Sequence, residues 1–380
     1  MAKHLPVLQV MFARELGQSG GAVADAVAVQ APVTNPPVVH VSEPVVAPMP
    51  GVLARDIPIL ILEQDAFAHP ALGPLVQDIF GRYKNESSVS RGTRSIAPNI
   101  FIGRDRLGYI NYSRSKQIFL VYGFTGPAEY FPVIIAEVYQ HCVDQGYEFN
   151  LFHDHELPAI GGTALSATPF GVMQRVVDLP SFTLEGGAMR RLRYQVSKFE
   201  KAGQCRTQEY VCGTSPETDA QIAAVIDAWC ESRTMVNPLI HIVRAEIVAG
   251  ALDAQHRLFV TYVDDVLQNA ILISRLSPEQ NGYLMDLEFY PRTMPLGGLE
   301  YAIVKMIEIL VAEGCTLFSM GGTYGCKLAP SANPDPAVDA VLDDLRLQNI
   351  FNDEGNLQFK NKFRTENESI FLCRPVGAGN

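Results

Sequence analysis

The chain has 380 residues, 47% of them apolar and 19% charged, with a formal net charge of −11. That length holds two domains of ordinary size and that composition builds a large core, so global disorder is excluded. The acidic balance disfavours non-specific polyanion binding, and any nucleic-acid contact has to come from a local basic patch. Seven cysteines without a Cys-x-x-Cys pair fit a reducing, cytoplasmic setting. No apolar run is long enough to span a bilayer.

Residues 1–56 are rich in Val, Ala and Pro and show no hydrophobic period, which predicts a flexible leader. Order is expected from Ile57, and a first domain spans 57–213. Within it, Arg106–Ser113 and Gln117–Gly123 read as two strands joined by a polar turn. Tyr130–Gln145 carries Phe131, Ile134, Ile135, Val138, Tyr139 and Cys142 at helical spacing. Gln174–Leu179 reads as a strand, and Ala188–Lys201 as a helix with Met189, Leu192, Val196 and Phe199 as its apolar stripe. The second domain spans 214–380. It opens on a helix start at Ser215-Pro216-Glu217, with Ile222, Val225, Ile226 and Trp229 on one face. Leu258–Val263 and Val266–Ser274 then form a hairpin around Asp264-Asp265. The strand Leu284–Phe289 follows, then a turn over Pro295–Gly298, a helix over Leu299–Val311, and strands at Thr316–Met320 and Ser369–Cys373. Both halves mix hairpins and helices in a similar order, which suggests two copies of one fold.

Several stretches could carry chemistry. In an extended strand Asp286 and Glu288 point to one face, and two carboxylates there are costly unless paired or wetted. Either they line a cleft where a carboxylate holds an amine or takes a proton, or the strand end emerges into solvent. Gly297 and Gly298 at a helix start could let backbone N–H groups approach a phosphate, or simply make a tight turn. From Phe182 to Arg206 six basic residues stand against two acidic ones; Arg190, Arg193 and Lys198 could meet phosphates or form a solvated face. Lys360 and Lys362, bracketed by Phe359 and Phe363, could steady an oxyanion at a cleft mouth or form an ordinary amphipathic edge. In His153-Asp154-His155-Glu156 adjacent side chains cannot all face one ion, so no metal site is expected. Hydrolase, NTPase and dinucleotide-binding motifs are absent.

Strand, glycine turn, helix, strand is the frame of the GNAT acyltransfer fold. Four stretches together resemble the C-terminal catalytic domain of bacterial phosphatidylglycerol lysyltransferases, aminoacyl-tRNA-dependent transferases with tandem GNAT folds. They are Phe182–Arg193, Asp286 with Pro295, Gly297 and Glu300, Ser319-Met320-Gly321, and Phe359–Phe363. The resemblance runs from about Tyr109 to Pro375. It implies an α/β chain of two tandem GNAT-like acyltransferase domains with mixed central sheets. It also implies transfer from aminoacyl-tRNA to an amine or hydroxyl, with the charged tRNA as co-substrate and no separate cofactor. By the same resemblance Asp286, Glu288 and Lys360 are the catalytic candidates, and Arg190, Arg193, Lys198 and Lys362 the tRNA contacts. Arg292, standing in for the family's basic residue after the strand aspartate, lines the substrate site with Gly297 and Ser319. The family's multi-helix membrane portion has no counterpart in these residues, so a small-molecule acceptor, such as one of specialised metabolism, is expected. A phospholipid acceptor, an acyl-CoA donor seated at Gly297-Gly298, and a non-catalytic sensor are the alternatives.

Overall fold

Runs of alternating and continuous apolar residues build strands, and their pairing sets the architecture. The structure, a computed structural model, describes residues 57–233, 236–347 and 353–377. The expected leader over 1–56 lies outside the described residues.

The elements in chain order are β1 (Ile59–Leu62), α1 (Glu63–Ala68), α2 (Gly73–Tyr83), α3 (Glu86–Val89), α4 (Arg91–Ile96), β2 (Asn99–Ile102), β3 (Tyr109–Ser115), β4 (Ile118–Thr125), α5 (Phe131–Gln145), β5 (Glu148–His153), β6 (Ala159–Ile160) and β7 (Thr163–Val177). The second part comprises α6 (Arg190–Glu200), β8 (Cys205–Tyr210), α7 (Pro216–Glu231), α8 (Leu239–Val248), β9 (His256–Val263), β10 (Val266–Arg275), β11 (Gly282–Phe289), α9 (Gly298–Ala312), β12 (Leu317–Tyr324), α10 (Pro336–Leu347), α11 (Asp353–Asn361) and β13 (Glu366–Pro375). The predicted helices and hairpins reappear with ends shifted by a few residues. The strand expected at Gln174–Leu179 is the end of a 15-residue β7. Asp264 and Asp265 both take positive φ, the left-handed pair that closes a two-residue hairpin.

One mixed sheet runs through the molecule in the order β1-β2-β3-β4-β5-β13-β7-β12-β11-β10-β9-β8, with β6 paired to β7. Each half contains a parallel strand pair joined by a 15-residue crossover helix: β4 and β5 through α5, and β11 and β12 through α9. This repeat is the two-copy arrangement anticipated from element order, and the mixed α/β, GNAT-like class holds. β13 returns from the end of the chain to lie between β5 and β7, so the halves share their central strands.

Both parallel pairs are joined only at their beginnings. β4 and β5 pair over Ile118–Val121 and Glu148–Leu151, and β11 and β12 over Gly282–Leu284 and Leu317–Ser319. Beyond those points the strands diverge, leaving two gaps in the sheet. On one face, α6 and α9 pack in a core with Met285, Met320 and Phe363. On the opposite face, α7 and α8 cover Leu287 and Phe289, while Tyr122, Phe152, Phe170 and Ile370 form the core beside α10.

Candidate functional site

A cavity of about 530 Å³ lies where the two gaps approach each other. Its walls come from β4 and β5 (Tyr122, Phe124, Phe152, His153), the start of α5 (Ala128, Phe131), and β7 and β12 (Met173, Arg175, Gly321, Gly322, Tyr324). The segment Asn85–Thr93, which contains α3 and the start of α4, passes over it as a strap.

Polar anchors tie the strap to both halves. Asn85 caps α3 by accepting from Ser87 N and Ser88 N, and its Nδ2 donates to Phe124 O on β4 at 2.7 Å. Glu86 pairs with Arg175 on β7 at 2.5 Å, with both side chains largely buried. Ser90 caps α4 by accepting from Thr93 N, and donates its hydroxyl to Asp286 on β11 at 3.3 Å. Gly123 lets the strap come close: a Cβ there would stand 1.9 Å from Ser87 Oγ.

Asp286 and Glu288 do not share a face, contrary to the expectation from strand alternation. β10 pairs Ile273 with Met285 and Leu272 with Leu287, so Asp286 is the extra residue of a β-bulge. The bulge turns Asp286 to the strap side and leaves Glu288 on the side of α9. Asp286 is 1% exposed and accepts from Ser90 Oγ, Arg91 N at 3.0 Å and Ser274 Oγ at 2.9 Å. Burial pushes its carboxyl above the usual range, against these donors and the Arg91 charge. His256 continues the network, its Nδ1 2.9 Å from Ser274 Oγ. Burial and the neighbouring Arg91 lower its pKa to about 4, so it is neutral at pH 7.

Lys360 lies on the other face, in the last turn of α11 rather than on an edge. It is 6% exposed and donates to Gly321 O at 3.0 Å and Gly322 O at 3.1 Å. Met320 and Gly321 form a bulge between β12 and β7, opposite Gln174, with Gly322 back in register against Met173; Gly321 takes φ 74°, and the Ser319 hydroxyl accepts from Gly321 N at 3.2 Å. The cation therefore touches the far side of the strand that walls the cavity. Burial lowers the Lys360 pKa to about 8, with the Glu288 charge acting the other way. Gln174 fixes α11 in place: its Nε2 donates to Asn361 Oδ1 at 3.1 Å and its Oε1 accepts from Thr323 Oγ1 at 2.8 Å.

The remaining candidates scatter. Arg190, Arg193 and Lys198 are exposed on α6, and the two arginines line a depression with Gly186 and Gly187. Arg193 also donates to the carbonyls of Leu184 and Gly186. Lys362 is committed to Glu300 at 2.6 Å in a largely buried pair, so its ammonium is not presented to a phosphate. Arg292 is exposed and donates to Ser232 O at 2.8 Å. Gly297 takes φ 93° and packs against α6, where a Cβ would stand 2.1 Å from Gln195 O. Its glycine requirement is thus met by helix packing. Sequence reasoning missed Glu86, Ser90, Gln174 and Arg175. The available signals were an Asn85–Ser88 capping box and charged or amide side chains inside an apolar strand. The Gly321-Gly322 pair within β12 marked the bulge.

Residues 93–374 match the family described as "Phosphatidylglycerol lysyltransferase, C-terminal". No curated protein matches the sequence. Among solved structures, the fold is similar to the C-terminal domain of a putative lysylphosphatidylglycerol synthetase from Agrobacterium fabrum, with a TM-score of 0.60 and 17% identity over 80% of this chain and 92% of that one. It is also similar to L-PGS from Bacillus licheniformis, with a TM-score of 0.59 and 16% identity over 80% of this chain and 91% of that one. A conserved protein of unknown function from Bacteroides thetaiotaomicron gives a TM-score of 0.54 at 9% identity, over 83% of this chain and 98% of that one. Among the described residues no helix is long and apolar enough to cross a membrane. By the extent of the family match, the chain belongs to the phosphatidylglycerol lysyltransferase C-terminal family, aminoacyl-tRNA-dependent acyltransferases on a GNAT-like fold.

Proposed function

We propose that the protein moves an aminoacyl group from aminoacyl-tRNA to an amine or hydroxyl of a small-molecule acceptor in the cytoplasm, with no cofactor beyond the charged tRNA. The observation that carries this reading is the two-sided strand at Gly321-Gly322. One side meets the cavity under the strap, and the other meets a buried ammonium on the face that also carries the basic helix α6.

In this reading Arg190, Arg193 and Lys198 meet acceptor-stem phosphates, and the aminoacyl ester reaches the gap between β11 and β12. The acceptor sits in the cavity. Its nucleophilic atom attacks the ester carbonyl carbon, the bond from that carbon to the ribose oxygen breaks, and the ribose oxygen takes the proton that the acceptor loses. The ester is already activated, so the protein contributes position, charge and exclusion of water. Lys360 places two of its protons on glycine carbonyls and offers the third to the developing negative charge, with Glu288 favouring its charged form. Asp286 acts as a positioning residue: its oxygens are occupied by the strap and Ser274, and it holds the cavity roof rather than the substrate ammonium. Ser319 shapes the glycine bulge, and Arg292 and Gly297 stand outside the reacting region.

A phospholipid acceptor is the second reading, favoured by the aromatic wall of Phe124, Phe131 and Phe152. An acyl-CoA donor at Gly297-Gly298 is disfavoured by the packing of Gln195 against that turn. The test is acceptor-dependent loss of label from charged tRNA. Consumption abolished by RNase supports the proposal. Acyl-CoA consumption that survives RNase, with charged tRNA left intact, overturns it.

A further inference from the structure

The outer face of α6 carries more than charge. Resting on the tRNA donor of the transfer reading above, we propose that Tyr194 stacks on a base of the unpaired 3′ end of the tRNA, while the cations around it meet the flanking phosphates.

Leu192, Val196 and Phe199 are buried in the core that α6 shares with α9, and they fix which side of the helix looks outward. At about 100° per residue, Arg190, Tyr194 and Lys198 follow one another along the opposite side, with Arg191 on the flank and Lys201 just past the last turn. Tyr194 is 60% exposed at the centre of this stripe, and Arg190, Arg191, Lys198 and Lys201 are exposed around it. Among the described residues, no hydrogen bond, ion pair or ring contact engages any of these five side chains. Glu200, the acid of α6, lies outside the stripe by the same geometry.

The arrangement works against the helix. Partial positive charge at a helix start favours acids, yet Arg190 and Arg191 stand in the first turn with no acid beside them. Lys198 and Lys201 are like charges one turn apart, and an exposed ring leaves apolar surface in water. Four cations gathered without partners, in a chain of net charge −11, complement a polyanion.

The ring at their centre decides which polyanion. A paired stem keeps its bases inside the duplex and offers a helix its phosphates and groove edges. An unpaired strand presents bases beside its phosphates, and any base stacks on a tyrosine ring. A membrane surface needs an apolar face that enters the lipid, and that face of α6 is buried with α9. The 3′ end is also the part of the donor that has to lead toward Lys360. Phe363, one turn beyond that lysine, belongs to the same core as α6.

The experiment uses the full chain and two hairpin RNAs of one acceptor-stem sequence, one ending in an unpaired CCA tail and one blunt. Fluorescence anisotropy reads binding without transfer. The tailed hairpin is expected to bind about tenfold more tightly than the blunt one, the scale of one stacked base. Tyr194→Ala should erase that preference with the blunt affinity unchanged, and Tyr194→Phe should keep it. Arg190→Ala with Lys198→Ala should weaken both hairpins and flatten their salt dependence, with the tail preference retained. The inference is overturned if the wild-type chain holds both hairpins equally or binds neither, and equally if Tyr194→Ala leaves the preference intact. Flotation with phosphatidylglycerol vesicles that Tyr194→Ala abolishes would assign the ring to a membrane surface and overturn it as well. If charged tRNA is consumed in any of those cases, the transfer reading stands without the stacking. A tail preference that depends on Tyr194, with no consumption of charged tRNA, would instead overturn the transfer reading and leave the stacking standing.

Discussion

The two parallel strand pairs share one plan and differ in what surrounds it. At β4 and β5 the gap stays open: the start of α5 lines the cavity through Ala128 and Phe131, and a polar strap passes over Gly123. At β11 and β12 the corresponding helix start is covered, because Gln195 of α6 presses on Gly297. There the gap is met from below by the ammonium of Lys360. The difference teaches that one repeated frame can be finished in two ways. One copy leaves a cavity, and the other sets a buried ammonium beside it.

The comparison can be broken most directly at the charged copy. Lys360→Met is expected to lower the transfer rate by about 1000-fold, the scale for losing a fixed group that faces developing negative charge. Single-turnover measurement with charged tRNA checks this, and a loss under tenfold would separate Lys360 from the chemistry.

Titration sharpens the same point. Lys360 has a pKa of about 8 in the fold against an ordinary 10.5. Between those values the folded protein binds fewer protons than the unfolded chain. Its stability therefore rises with pH across that window, and the full cost of the buried charge stands below pH 8. Relative to Lys360→Met, the wild-type stability should gain up to about 3 kcal/mol between pH 8 and 10.5, read by denaturant unfolding. Transfer itself should fall above pH 8 as the ammonium is lost.

The glycines of the two copies should then respond differently. Gly297→Ala meets a backbone oxygen at 2.1 Å in a left-handed conformation, and is expected to cost about 2 kcal/mol or more of stability. Gly123→Ala pushes on the Ser87 side chain and should raise the acceptor KM about tenfold through the strap. Equal effects in both assays would erase the distinction between the copies.

The smallest effect belongs to the surface. Arg190→Ala with Arg193→Ala should weaken tRNA binding about tenfold and reduce its salt dependence, while stability changes by under about 0.5 kcal/mol.

Much of the frame was legible in the sequence because it rests on local pattern. The stripe of Met189, Leu192, Val196 and Phe199 is a consequence of helical spacing, and all four are buried as expected. The turn at Asp264-Asp265 likewise encodes its own hairpin. The site was less legible because its arrangement depends on distant partners. Alternation placed Asp286 beside Glu288, but the bulge opposite Leu272 and Ile273 separated them, and no residue type announces it. Phe359–Phe363 reads equally well as an edge or a helix end, and Gln174, far away in sequence, decides for the helix. Lys362 looked available until Glu300, one turn into α9, was brought to it by folding.

The course of β13 bears on how the protein is made. Its place lies between β5 and β7, both synthesised some two hundred residues earlier. Until Glu366–Pro375 leaves the ribosome, β5 and β7 each present an unpaired row of backbone groups in the middle of the sheet. The amino-terminal half cannot finish folding on its own during translation, and a nascent chain stalled before that segment offers a ready target for chaperones and for aggregation.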